Sequence, residues 1–184
     1  NWYDHLGQKN VPLTTGSNSM FPVLPWSWIN FIQYGKSGAA PAIDNANKYI
    51  YITSDVFLAR VPRAKITDLN KADYQYFKGS PLDGMFDSSW SNLPSDAGKV
   101  SFPFEDPGMV NIVYNFSLKK YVASSVYWCK AKSAPEFSDK TRFEINVADH
   151  PWGPWRQTMS YGIWGRAGWN MLMANKFTAS NGLK

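Results

Sequence analysis

The sequence predicts an all-β fold, and three observations carry that expectation. Eight short runs are rich in β-branched and aromatic residues, turn-forming residues separate them, and a single weakly helical stretch stands against them. A chain of 184 residues suits one domain with a sizeable core.

The first four runs are "WINFIQYG" (28–35), "KYIYITSD" (48–55), "VFLARVP" (56–62) and "DYQYFKG" (73–79). Each is short enough for a strand and ends at Gly35, Asp55, Pro62 or Gly79. Between the third and fourth, "AKITDLNKADY" (64–74) has helical character but is short and polar, enough for one or two turns. The second four are "GMVNIVYN" (108–115), "KKYVASSVYW" (119–128), "RFEINVAD" (142–149) and "WRQTMSY" (155–161). "DPG" at 106–108 introduces them, and the bend "DHPWGPW" divides the last two.

The two sets follow one plan. An apolar strand leads to an aromatic strand, then a third strand, a Pro-containing bend and a short final strand. Four strands in about fifty to seventy residues is the size of one propeller blade. The expectation is therefore blades at 28–79 and 108–161 within a single partial propeller domain over 1–184, with partial blades at both ends. On this plan each first strand lines a central channel, and the Pro-rich bend is the corner between third and fourth strands. Trp152 and Trp155 at that corner are then either wedges between neighbouring blades or a platform for sugar rings.

Composition narrows the function classes. Aromatics reach 16%, which suits both of those roles. The net charge is +5 and the pI near 9.2, but the basic residues are dispersed. The densest group is Arg60, Arg63 and Lys65, which argues against nucleic acid and leaves an anionic polysaccharide open. No apolar run approaches the roughly 18 residues needed to cross a bilayer, so no membrane role is expected. Cys129 is alone, which excludes a disulfide within the chain, and its neighbours suit a small buried hydrophobe. With His5 and His150 the only histidines, no zinc-ligand spacing exists. The chain begins at Asn1 without a signal-like segment, as expected of a mature or partial product.

The strings "KYIYITSDVFLARVPRAKI", "YQYFKG", "SSWS", "VNIVYNFSLKKYV" and "ADHPWGPW" follow one another in an order that resembles a known family. This is the secreted five-bladed β-propeller group described as glycosyl-hydrolase-like, related to endo-arabinanases. The similarity covers residues 28 to 184, and "LARVP", "YN…L..Y" and "PWGPW" in sequence are its most specific parts. It implies a secreted, carbohydrate-active protein whose ring is completed by another segment or chain, because propellers need at least about four blades.

Glycosidic cleavage requires one carboxylic acid and one carboxylate. Glu105 and Asp106 stand just before a first strand and are candidates for a channel mouth, or else form an Asp-Pro-Gly turn. Asp4 and Asp55 are further catalytic candidates, with a terminal and a turn position as the respective alternatives. Trp28, Asn30, Gln33, Tyr114 and Asn115 fall on proposed first strands, where rings and polar groups meet sugars. Asn115 also opens an Asn-Phe-Ser glycosylation sequon. Arg60 reads as a buried strand cation with a carboxylate partner, or as a uronate-binding residue. The leading expectation is a glycoside hydrolase acting on a polysaccharide. A lectin-like propeller and a lyase acting on a uronate-containing glycan are the alternatives. No cofactor or catalytic metal is expected, and no ligand loop supports a structural Ca²⁺.

Overall fold

The computed structural model describes residues 2–4, 9–11, 26, 29–32, 48–79, 82–103, 109–115, 117–128 and 141–161. It is all-β, as expected, and its described strands form two antiparallel meanders and a separate hairpin. In the hairpin, β1 (Trp2–Asp4) pairs with β2 (Lys9–Val11). One meander orders β3 (Ile29–Ile32), β4 (Tyr49–Ser54), β5 (Phe57–Pro62), β6 (Gln75–Phe77) and β7 (Trp90–Ser91). The other orders β8 (Met109–Asn115), β9 (Lys120–Trp128), β10 (Thr141–Ala148) and β11 (Arg156–Tyr161).

All eight expected runs therefore become strands, most of them trimmed at their ends, while β10 starts one residue earlier than expected, at Thr141. The stretch at 64–74 forms two 3₁₀ turns, Arg63–Asp68 and Lys71–Asp73. β1, β2 and β7 were not anticipated; each is two or three residues long, too short to show a side-chain period. Glu105, Asp106, Trp28, Gln33, His5 and Cys129 lie outside the described residues. Among those described, no helix is long and apolar enough to cross a membrane.

Local chemistry explains the connections. Asp55 takes φ 50° in the two-residue turn from β4 to β5, a left-handed conformation that Asp tolerates better than most residues. Lys119 has φ 51° in the turn between β8 and β9. There the Leu118 N–H donates to Asn115 Oδ1 at 2.9 Å, so the Asn115 amide closes the turn. The bend between β10 and β11 carries a cis Gly153–Pro154 bond, and the register of those strands shifts between Ile145 and Asn146.

The sheets share one core. Tyr51 and Leu58 of the first meander cluster with Phe77 and Trp90, and they meet Ile112, Tyr114, Tyr121 and Ala123 of the second. Trp152 and Trp155 belong to this same cluster, each 8% exposed. Trp152 lies 5.9 Å from Tyr51 and 6.2 Å from Trp90 between ring centroids, the latter edge-on at 83°. The bend of one sheet thus drives an indole against the other sheet. On the far face of the first meander a second cluster gathers Trp26, Ile52, Val61, Tyr74 and Tyr76. The first strands, β3 and β8, lie beside each other without a shared ladder.

Gly84 sits directly on the Trp152 indole, where a Cβ would overlap the ring. The Gly84 carbonyl also accepts a hydrogen bond from Trp90 Nε1 at 2.7 Å, so the loop has little room to retreat. Gly84→Ala should therefore destabilise the fold by about 1–3 kcal/mol. Trp152→Ala should cost about 3–5 kcal/mol through the cavity it leaves. Urea denaturation of both variants checks the order, and an unchanged midpoint for Trp152→Ala would remove the wedge from its central place.

Candidate functional site

A cleft of about 560 Å³ opens where the 82–83 segment, the 101–103 segment and the β10–β11 bend converge. Asp83, Ser101, Phe102, His150, Trp152 and Trp155 line it. Each is placed by a backbone feature of its own. Asp83 Oδ1 accepts the Met85 N–H at 2.9 Å, an Asx turn that leaves the rest of its exposed carboxylate available. Ser101 to Pro103 follow Val100, whose N–H donates to the Val56 carbonyl at 2.7 Å and ties this segment to the β4–β5 turn. The His150 carbonyl accepts the Gly153 N–H at 3.0 Å, which closes the bend.

The rings interlock. The His150 imidazole stacks on Trp152 at 5.0 Å with only 2° between planes, and Phe102 meets Trp155 at 5.0 Å. Gly153, at φ 103°, leaves space beside the Trp155 pyrrole edge. His150 Nδ1 and Trp155 Nε1 are both buried without a hydrogen-bond partner. Each such group costs about 1–3 kcal/mol while it stays unmet, but neither atom is open to solvent, so a ligand in the cleft meets the ring surfaces and not these nitrogens. The cleft therefore combines a half-buried imidazole, an exposed carboxylate, a hydroxyl and apolar ring surface. That set suits a small polyhydroxylated ligand.

Among the described residues, the sequence candidates occupy separate places. Asn30 lies half-buried on β3, opposite Thr53. Tyr114, on the adjoining β8, is only 1% exposed and packs edge-on against Tyr121 at 5.0 Å, inside the core. Asn115 is engaged by its own turn. Asp4 lies on β1 opposite Lys9. Asp55 is half-buried, and desolvation pushes its carboxyl above the ordinary range. No group of three or more His, Cys, Asp or Glu that could hold a metal occurs among the described residues.

Arg60 is held within its own sheet. It is 3% exposed, its Nε donates to Gln75 Oε1 at 2.8 Å, and its Nη2 meets Asp87 Oδ1 at 2.9 Å. The guanidinium also lies 4.1 Å above the Tyr49 ring and 4.2 Å above the Trp90 ring. Of its two expected roles, the buried cation with a carboxylate partner is the one its contacts describe. Sequence reading did not single out Asp83, Phe102 or His150 as binding residues. The only local hint was that His150 belongs to the Trp-Pro bend.

Two outcomes follow from these placements. Arg60→Lys should not rescue the roughly 2–3 kcal/mol lost in Arg60→Ala, because a point charge replaces a planar fork sandwiched by rings. Thermal melts of the two variants check this. A carboxyl raised in the folded state binds more protons folded than unfolded, so its contribution to stability falls as pH rises above the ordinary 3.8. The melting advantage of Asp55→Asn over the parent should accordingly grow from pH 3.5 towards pH 7, and a difference that is flat with pH would contradict the burial of this carboxyl.

No family model matches the chain, and no curated protein matches it.

Proposed function

We propose that this chain forms part of a carbohydrate-active β-propeller and that the cleft at Asp83, His150 and Trp155 is a sugar subsite. The carrying observation is that cleft, where an exposed carboxylate and a half-buried imidazole meet aromatic ring surface. Sugars present hydroxyls and C–H faces together, which this lining complements. The architecture agrees with the reading. Meanders of four or more strands stand with their first strands side by side, and an aromatic corner after the third strand packs between them. In a propeller the remaining blades would come from outside the described residues, on this chain or another, and the protein would work in a secreted setting.

Hydrolysis is a second reading, and Asp55 favours it. A general acid must keep its proton near neutral pH, and burial moves the Asp55 carboxyl in that direction. Its partner carboxylate would then be Glu105 or Asp106, in the segment that follows Ser101–Pro103.

The test uses arabino-oligosaccharides as the probe and tryptophan fluorescence as the readout. Asp83→Asn keeps the Asx turn and His150→Phe keeps the stack on Trp152, so both variants should fold. Each should weaken binding about tenfold, the loss expected for a hydrogen bond involving a buried or charged group. If neutral oligosaccharides do not bind, or bind both variants as tightly as the parent, the subsite is wrong. Release of reducing ends that disappears in Asp55→Asn would place hydrolysis on this chain. Binding without release would leave the lectin-like alternative.

A further inference from the structure

The chain carries 19 Lys and Arg against 14 Asp and Glu, so cations outnumber their possible acidic partners. Among the described residues Arg60, Lys65, Lys120 and Arg142 each have a carboxylate within 4.0 Å. Lys48 and Arg63 have none among the described residues. These two are also neighbours in space. The Arg63 N–H donates to the Lys48 carbonyl at 2.7 Å, one step beyond the rung where Tyr49 opposes Pro62. The paired backbone thus brings two cationic side chains to one end of the β4–β5 hairpin.

A cavity of about 630 Å³ opens there, lined by Lys48, Tyr49, Pro62, Arg63 and Ala64. It is within the size range of small-ligand sites, and its lining is mostly apolar apart from the two cations. Tyr49 is half-buried and braced by the Arg60 guanidinium at 4.1 Å over its ring. Because Asp87 already meets the Arg60 charge, Arg60 stiffens the wall while Lys48 and Arg63 supply free positive charge. We propose that this cavity is a second binding site and that it takes the carboxylate-bearing ring of a uronate in an acidic polysaccharide. Arg63 offers a fork that matches a carboxylate, Lys48 adds a point charge, and Tyr49 with Pro62 presents an apolar wall to the C–H face of the ring. An acidic peptide would meet the two cations but would leave that wall without a ring to cover.

The inference rests on the carbohydrate reading only in taking a sugar, and its test separates the two. Calorimetric titration compares de-esterified oligogalacturonate, its fully methyl-esterified counterpart and hexaglutamate. The free acid should bind, with affinity falling as NaCl rises. The ester and the peptide should bind at least tenfold more weakly, as should the free acid to Lys48→Ala/Arg63→Ala. Arg63→Lys should retain part of the binding, and far-UV circular dichroism checks that each variant folds.

Equal binding of acid and ester, equal binding of hexaglutamate, or full affinity in the double variant would overturn the proposal. So would no binding of the acid. If the acid fails while arabino-oligosaccharides still bind through Asp83 and His150, only this second site falls. If the acid binds through Arg63 and neutral sugars do not, the cleft reading falls and this one stands.

Discussion

The packing of one indole between two sheets is the contact on which most of this structure depends. Trp152 leaves the bend of the second meander and inserts against Tyr51 and Trp90 of the first. A buried Trp removes a large apolar area from water and gains further from edge-on aromatic neighbours, about 0.5–1.5 kcal/mol per pair. It also needs a smooth surface to rest on. Gly84 provides that surface, and the Trp90 N–H to Gly84 carbonyl bond holds the glycine in place. The same wedge then sets the cleft, because His150 stacks on Trp152 and Trp155 turns towards Phe102.

Charge is arranged around the aromatic core by a similar economy. Arg60 is buried, yet its cost of desolvation is met three ways: by Gln75, by the carboxylate of Asp87, and by the ring faces of Tyr49 and Trp90. Asp87 remains 91% exposed, so the pair is half solvated and is not a fully buried ion pair with its full desolvation penalty. The result is a rigid strand end on which the next cations, Lys48 and Arg63, project without carboxylates. Arg60 therefore contributes to binding, in this reading, by holding Tyr49 and not by touching a ligand.

The cleft and the Asp55 turn are joined through the chain. The Val100 N–H to Val56 carbonyl bond and the Phe57–Lys99 bridge lay the 99–103 segment along the turn that carries Asp55. That segment continues into the cleft lining at Ser101 and Phe102. A shift of the turn would consequently move the cleft wall, which is a physical route by which the half-buried Asp55 carboxyl and the cleft can influence each other. Asp55 is half-buried, which pushes its carboxyl up, whereas Asp83 is exposed and fixed by its Asx turn.

By itself the sequence determined the strands and their order. Alternating apolar and aromatic residues such as those of "YIYITS" and "YVASSVYW" define strands locally, and Asp55, Pro62 and the Pro151–Pro154 bend end them for reasons confined to a few neighbouring residues. The weak helical stretch was legible for the same reason. β1, β2 and β7 were not, because a pairing of two or three residues is made by the partner strand and leaves no period of its own. The site depended on tertiary structure throughout. Nothing in local spacing joins Asp83 to His150, or tells that Tyr114 would be sealed in the core while Arg63 stays clear of carboxylates. Which face of a sheet another sheet covers is decided by packing between distant segments, and that coverage separates a core tyrosine from a binding one.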